Sequence, residues 1–349
     1  MKTAFQSEID EQGEALRNLI SFYGQEGDQL LRKWKKLLSR MNGNLLFAGM
    51  GTSFFSPVVI KPLLASGGIM ASIYEAGELL HYELKAVQKE DMIVLISQSG
   101  ESIETCKVAE KLEKTCPLVA IVNDENSTLA RHVDLVLPLV AGEEKSITTK
   151  TYSNTLGLLN MMGVTAIHGD LVKELNNLKE TSFQMDNFLE GRAEEVDFAV
   201  KELGNADNVH FLSRGPPMAG AYQGALTFME GARMTASAMP CGSFRHGPFE
   251  LVREGHHAVV YVPSSRNGRL VIKMVSEMVD KGSHIVAFSS NATRIGKSGV
   301  FEMAFPKTDD RHLPIAAAVP QEIMLDKIAS LRGLTCGLFE YGSKITKVE

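Results

Sequence analysis

At residues 92–102 the sequence reads MIVLISQSGES, an unbroken apolar run followed at once by a polar loop with three serines. Five consecutive apolar residues predict a strand buried on both faces, as in a parallel sheet. The helical pattern at 103–112 completes a strand, a loop and a helix. Backbone N–H groups at such a helix N-terminus bind anions, most often phosphate, and the hydroxyls of Ser97, Ser99 and Ser102 add donors. The alternative is a plain helix cap, because serine is also a favoured N-cap residue.

Short apolar runs on either side of this stretch predict further strands of the same sheet. They cover residues 44–51, 118–122 and 135–139, with segments between them that are long enough for helices. Such strands, alternating with helices, predict an α/β fold in which helices cover both faces of a parallel sheet. Pro138 lacks the N–H of a central strand, so the last strand is expected near an edge.

The same order of strands recurs in the second half of the chain. Residues 208–215, 258–265, 285–289 and 305–306 repeat residues 44–51, 92–99, 118–122 and 137–138 at offsets of 164, 166, 167 and 168. Chance similarity of apolar strands is the alternative, but four elements recur in one order. Two related α/β units of about 140 residues are therefore expected. The loop at 263–268, PSSRNG, has lost the serine pattern, so only the first unit is expected to bind phosphate.

These patterns divide the chain into five predicted segments. They are an N-terminal helical segment (residues 1–40), a first α/β domain with the phosphate loop (41–170), a helical linker (171–200), a second α/β domain (201–319) and a C-terminal helical tail (320–349). A chain of 349 residues is long enough for two domains with a core each.

Composition excludes several classes of function. The 36 basic and 42 acidic residues give a net charge of −6, so nucleic acid is not an expected partner. No apolar run of about 20 residues and no signal peptide occur, so neither a membrane partner nor export is expected. Four scattered cysteines are typical of reduced thiols in a cytoplasmic protein. The chain has no ATP-binding P-loop motif and no metal-ligand spacing, so neither a cofactor nor a metal is expected.

Other candidate residues follow predicted strands or lie on a predicted helix. Thr52 and Ser53 come directly after a strand that ends in Gly-Met-Gly, and ligands of α/β proteins bind beyond such strand ends. Thr148 lies in a hydroxyl-rich segment that could equally be a solvated loop. Glu230 lies in a mostly apolar helical stretch, so its carboxylate is either on a solvated face or a general base with a raised pKa. His246, in a Gly-Pro loop, is uninformative by itself.

Together, these motifs resemble the sugar isomerase (SIS) superfamily, and most closely the tandem SIS domains in the isomerase half of glucosamine-6-phosphate synthase. The resemblance covers nearly the whole chain, at residues 7–12, 51–53, 97–102, 148–150, 224–226, 230, 246–248 and 343–349. It implies two tandem SIS domains, each a flavodoxin- or Rossmann-like three-layer sandwich. It also implies a homodimer or a higher homo-oligomer.

The resemblance further implies a site for a 6-phosphorylated sugar or amino sugar, with no cofactor. Glu230 would move a proton between C1 and C2 through an enediol-like intermediate. His246 would reach the site from a neighbouring subunit and help to open the sugar ring, and Lys344 would contact the carbonyl end of the sugar. The phosphate and substrate would be held by Thr52, Ser53, Ser97, Gln98, Ser99, Ser102 and Thr148.

The chain departs from the synthase pattern at several positions. Thr227 and Met229 stand where the synthase has lysines, and Ser243 replaces a glutamate. No glutaminase domain precedes the first SIS unit, so glutamine-dependent amide transfer is not expected. Residues 228–230 and 246–250 look more like the deglycases of phosphorylated fructosamino acids, whereas the tail with Lys344 resembles the synthase.

Three hypotheses follow. The first is an enzyme that acts on a 6-phosphorylated amino sugar or ketosamine by aldose–ketose proton transfer and releases an amine, as a deglycase or deaminase. The second is a simple phosphosugar isomerase, and the third is a non-catalytic sugar-phosphate regulator. The presence of Glu230, His246 and Lys344 is evidence against the third.

Overall fold

Two parallel sheets and the helices around them make up this computed structural model, which describes residues 2–306 and 308–341. The first half of the chain contains α1 (Ala4–Asp10), α2 (Gln12–Tyr23), α3 (Asp28–Leu38), β1 (Leu45–Gly49), α4 (Thr52–Phe55), α5 (Lys61–Ser66), β2 (Ala71–Glu75), α6 (Ala76–Glu78), β3 (Met92–Ile96), α7 (Ile103–Leu112), β4 (Leu118–Val122), β5 (Leu135–Pro138), α8 (Lys150–Ala166) and α9 (Leu171–Gly191). The second half contains α10 (Glu195–Leu203), β6 (Asn208–Ser213), α11 (Met218–Ala232), β7 (Thr235–Pro240), α12 (Cys241–Arg245), β8 (His257–Tyr261), α13 (Gly268–Val279), β9 (His284–Ser290), β10 (Val300–Phe305), α14 (Leu313–Ala316) and α15 (Ala318–Leu331).

The first sheet has the strand order β2-β1-β3-β4-β5, and all its pairings are parallel. Every residue of β1, β3 and β4 is buried, which explains why these strands are continuous apolar runs. β5 is an edge strand, as Pro138 predicted.

The second sheet repeats this arrangement. Its order is β7-β6-β8-β9-β10, again wholly parallel, so each strand has the same neighbours as its counterpart. The predicted α/β class and the predicted internal repeat are therefore confirmed.

Strands β2 and β7 are missing from the sequence-based prediction. Both are edge strands that pair on one side only, and most of their residues are partly exposed. They therefore have no continuous apolar run, and their sequences, ASIYE and TASAMP, do not stand out from loops.

The chain forms two compact units, which we name after their sheets. The first-sheet unit comprises Glu14–Glu144 and Lys150–Lys179. The second-sheet unit comprises residues 2–13, Lys145–Thr149 and Glu180–Phe339. Helix α1 belongs to the second-sheet unit, where Gln6 donates from Nε2 to Asp326 Oδ2 (2.8 Å). The division into five consecutive segments stays a prediction.

No helix in the described part of the chain is long and apolar enough to cross a membrane. The four cysteines are buried and carry free thiols.

Candidate functional site

The loop after β3, residues 97–102, is held by hydrogen bonds at both ends. At its start the N–H of Ser97 donates to the carbonyl of Ile121 on β4 (3.1 Å). Ser97 Oγ accepts from the N–H of Gly100 (3.1 Å) and lies 3.2 Å from Ser102 Oγ. Ser102 is the N-cap residue of α7, yet its side chain makes no capping hydrogen bond to that helix. The arrangement is therefore not that of a plain serine cap, and the positive end of α7 stays open to an anion.

Gly100 is required by the geometry of this loop. Its φ of +66° lies in the left-handed region, and a Cβ there would come within 2.1 Å of Ser127 Oγ. Glu101 is held by Thr128, because its carboxylate accepts from the N–H (2.8 Å) and the hydroxyl (2.9 Å) of that residue. We had not predicted a role for Glu101, since its partner is 27 residues away.

Backbone donors of the loop are available to a ligand. Among the described residues, the N–H groups of Gln98 and Ser99 have no acceptor within the protein. Gln98 and Ser99 are half-buried, and Ser97 is buried. An anion bound here would be partly shielded from water, which strengthens its hydrogen bonds.

Thr52 and Ser53 lie at the same edge of the first sheet as this loop. They begin α4, directly after β1, which pairs with β3 so that Gly49 is opposite Ile96. The turn before them requires Gly51, whose φ is +49°. Both side chains are half-buried. The structure therefore brings six predicted residues to the carboxyl ends of two adjacent strands, where ligands of α/β proteins bind: Thr52, Ser53, Ser97, Gln98, Ser99 and Ser102.

Glu230 lies near the C-terminal end of α11, in the second-sheet unit. Its side chain is exposed, yet the protein packed around the carboxyl removes enough water to raise its pKa to about 7. A carboxyl that titrates near neutral pH can both take and return a proton, as a general base needs.

The structure brings Thr148 to the helix that carries Glu230. Segment Lys145–Thr149 belongs to the second-sheet unit. The carbonyl of Thr148 accepts from Gln223 Nε2 on α11 (3.3 Å), and Ile147 packs against Gly231. Gln223 and Glu230 are seven residues apart, so they share one face of α11. The role of Gln223 in holding this segment was not predicted, because the contact spans 75 residues of sequence.

Of the other two predicted catalytic residues, the structure describes only His246. His246 follows α12 and is exposed, and no hydrogen bond or ion pair of the described residues joins it to Glu230. Lys344 lies outside the described residues. In the part of the chain that the structure describes, no group of three or more His, Cys, Asp or Glu side chains could hold a metal ion.

A comparison with protein families finds a match to the part of the chain that contains the first sheet. Residues 37–164 match the family model of the SIS domain, so this part of the chain is similar to an SIS domain. The two five-stranded parallel sheets of the chain, flanked by helices, have the fold of tandem SIS domains.

Curated proteins of similar sequence include several enzymes that share one name. The chain is 28% identical over 331 residues to glutamine–fructose-6-phosphate aminotransferase [isomerizing] of Pyrobaculum aerophilum, covering 93% of this chain and 54% of that protein. The enzyme of the same name from Pyrococcus horikoshii is 27% identical over 340 residues, with 93% and 54% covered. The chain thus spans about half the length of the curated relatives it matches.

Solved structures share the fold. The C-terminal domain of glucosamine-fructose-6-phosphate aminotransferase from Francisella tularensis has a TM-score of 0.88 at 23% identity, covering 97% of this chain and 98% of that one. Tagatose-6-phosphate ketose/aldose isomerase from Escherichia coli has a TM-score of 0.79 at 19% identity, with 95% and 93% covered. Glucosamine-6-phosphate deaminase from Thermotoga maritima has a TM-score of 0.76 at 18% identity, with 98% and 99% covered.

Proposed function

We propose that the chain is an enzyme that acts on a 6-phosphorylated amino sugar or ketosamine by aldose–ketose-type proton transfer and releases an amine. The observation that carries the proposal is the environment of Glu230, whose carboxyl has a pKa of about 7. A regulator that only binds a phosphosugar has no need of a group that titrates near neutral pH.

In the proposed reaction the loop at 97–102 anchors the phosphate through its N–H groups and hydroxyls. The Glu230 carboxylate removes a proton from the carbon next to the carbonyl or iminium carbon, which leaves an enediol- or enolamine-like intermediate. The same carboxyl then returns the proton to the neighbouring carbon, which leaves a carbon–nitrogen double bond. Water adds to this bond, and the carbon–nitrogen bond breaks to give the carbonyl compound and the free amine. His246, predicted to come from a neighbouring subunit of a homodimer, opens the ring, and Lys344 contacts the carbonyl end. No metal takes part in this scheme.

One feature favours amine release over the aminotransferase activity in the name of the curated relatives. The position of a synthase lysine is held by Thr227, which is buried and donates from Oγ1 to the carbonyl of Gln223 (2.9 Å). A threonine has no ammonium group to offer a substrate, and the hydroxyl of Thr227 is already bonded within the helix. A simple isomerase is the second candidate, supported by the shared fold with tagatose-6-phosphate ketose/aldose isomerase.

A coupled assay for glucose 6-phosphate and fructose 6-phosphate tests the proposal. The panel is 6-phosphorylated fructoselysine, glucoselysine and fructose-asparagine, together with glucosamine 6-phosphate. Turnover of any of the four, lost in Glu230→Gln, would support amine release, and the substrate used would separate deglycase from deaminase. Interconversion of glucose 6-phosphate and fructose 6-phosphate alone would establish the isomerase. Binding of these compounds without any turnover would support a non-catalytic sugar-phosphate regulator.

A further inference from the structure

The loop after β8 corresponds position by position to the loop after β3. Each has six residues between the strand and the next helix, 262–267 and 97–102. Each begins with the same anchor, since the N–H of Val262 donates to the carbonyl of Phe288 on β9 (2.8 Å), as Ser97 does to Ile121 on β4. The structure therefore places Ser264 at the position of Ser99, which corrects the sequence offset of 166 for this strand to 165.

The second loop already holds an anionic group, and the chain itself supplies it. Asp310 Oδ1 accepts from the N–H of Ser264, from Ser264 Oγ (2.8 Å) and from the N–H of Ser265 (3.1 Å). One carboxylate oxygen thus collects three donors of a loop that matches the phosphate loop in length and anchoring. Asp310 reaches this position from the segment before α14, 46 residues further along the chain.

The surroundings of this loop favour negative charge. α13 is a 12-residue helix, and its N-cap residue Asn267 makes no side-chain capping bond. Arg266 in the loop and Arg269 in the first turn of α13 add positive charge at the same end of the helix. The donors that Asp310 occupies are those that an external oxyanion would need.

We propose that Asp310 is the residue that restricts this chain to one phosphosugar site, because its carboxylate takes the place of a phosphate oxygen in the second-sheet unit. The inference rests on the proposed function only in assigning phosphate to the loop of Ser99. Without the carboxylate, the N–H and hydroxyl of Ser264 and the N–H of Ser265 become available to an external anion.

The test counts phosphate sites per chain with inorganic phosphate, by calorimetric titration and by the phosphate-dependent rise in melting temperature. The variant is Asp310→Ala, and the matched control is Asp309→Ala, which removes an exposed neighbouring carboxylate that makes no bond to the loop. We expect one site in the unmodified chain and in Asp309→Ala, and two in Asp310→Ala. Equal numbers of sites in the unmodified chain and Asp310→Ala would overturn the proposal.

A second variant keeps the test decisive if Asp310→Ala does not fold. Asp310→Asn preserves size and one acceptor oxygen but removes the charge, so phosphate competes with a neutral group. We expect a second, weaker phosphate site in Asp310→Asn, and its absence there would also overturn the inference. If the unmodified chain binds no phosphate while Asp310→Ala binds one, Asp310 keeps its role and the assignment of phosphate to the Ser99 loop fails.

Discussion

The loops after β3 and β8 have the same length and the same anchoring hydrogen bond, yet they differ in whether their backbone donors are available to a ligand. In the first, the N–H groups of Gln98 and Ser99 have no acceptor among the described residues, and the Glu101 carboxylate is bonded to Thr128. In the second, Asp310 accepts from the N–H of Ser264, the counterpart of Ser99, and from the N–H of Ser265, while Pro263 at the position of Gln98 has no N–H. The difference comes from a carboxylate outside the loop. Whether a repeated loop can bind a ligand therefore depends on its packing partners as well as on its own residues.

A second contrast concerns acid–base chemistry. In our proposal the first-sheet unit supplies the phosphate donors, and the second-sheet unit supplies the carboxyl that titrates near pH 7. The two copies of the repeat would then have different roles, phosphate binding in the first and proton transfer in the second.

The largest effect is expected at Glu230. Glu230→Gln should lower kcat by at least about 10³-fold while phosphosugar affinity stays within a few-fold, because the amide cannot take a proton. In the unmodified enzyme, kcat/KM should rise with pH and level off above about pH 7, where the carboxyl is ionised. Rate measurements from pH 5.5 to 8.5 check both statements.

The control is Glu254→Gln, an exposed carboxylate of the same unit. It should keep both the rate and the pH profile. Because desolvation disfavours the ionised form of Glu230, stability falls as pH rises through about 7, so Glu230→Gln should melt higher than the unmodified protein at pH 8 and not at pH 5. Full turnover in Glu230→Gln would remove Glu230 from the mechanism.

The second largest effect is expected at the amino ends of two corresponding strands. Asp91 directly precedes β3, and His256 directly precedes β8. Asp91 accepts from the N–H groups of Asn44 (2.7 Å) and Gln88 (2.8 Å). His256 is buried between His210 and Ser283 instead, with ring-nitrogen distances of 3.1 Å to His210 Nδ1 and 3.0 Å to Ser283 Oγ. Desolvation, with smaller contributions from neighbouring histidines, lowers the pKa of His256 to about 4.

This comparison predicts acid sensitivity in the second-sheet unit. An unfolded histidine takes up its proton near pH 6.5, whereas His256 stays neutral in the fold, so stability is lost as pH falls from about 6.5 towards 4. The loss should reach up to about 3 kcal/mol of unfolding free energy. Urea unfolding at pH 7.5 and 4.5 should show a smaller difference in His256→Asn than in the unmodified chain. The control His81→Gln changes an exposed histidine and should retain the full difference in stability between the two pH values. If His256→Asn also retains the full difference, His256 is not the cause of the acid sensitivity.

The parts of this fold that could be predicted from sequence are those whose cause is local. Strands such as β3 and β8 are buried on both faces, so their apolar runs are continuous, whereas the edge strands β2 and β7 leave no such pattern. The serine loop at 97–102 combines a strand end, a glycine and a helix start within six residues, and these signals are all local.

The remainder of the candidate site depends on contacts between distant residues. Asp310 and Ser264 are 46 positions apart, and Gln223 and Thr148 are 75 apart. Nothing in the residues around Asp310 indicates that its carboxylate accepts hydrogen bonds from the loop after β8. The pKa of Glu230 likewise depends on how much water the folded chain removes, which helical periodicity does not report.

A smaller effect is expected where the two loops differ in backbone conformation. Gly100→Ala should lower the free energy of unfolding by about 2–3 kcal/mol, because a side chain at positive φ is strained and the new methyl group displaces the Ser127 hydroxyl. The corresponding residue of the second loop is Ser265, which already carries a side chain and is exposed. Ser265→Ala should therefore leave stability unchanged in the same chemical denaturation series. Equal losses in the two variants would contradict this difference in backbone conformation.

The smallest effect concerns the hydroxyls at the equivalent positions of the two loops. Ser99→Ala should weaken binding of glucose 6-phosphate by about 1–2 kcal/mol, or roughly 5- to 30-fold in Kd, because it removes one donor from a half-buried anion. Ser264→Ala removes a hydroxyl that donates to Asp310, so it should leave this Kd unchanged. Titration calorimetry on both variants checks the pair. If Ser264→Ala weakens binding as much as Ser99→Ala, the phosphate is not confined to the first loop, and the contrast between a filled and an open loop fails. If Ser99→Ala alone is affected, the two copies of one backbone loop hold anions from different sources, one from the ligand and one from the chain.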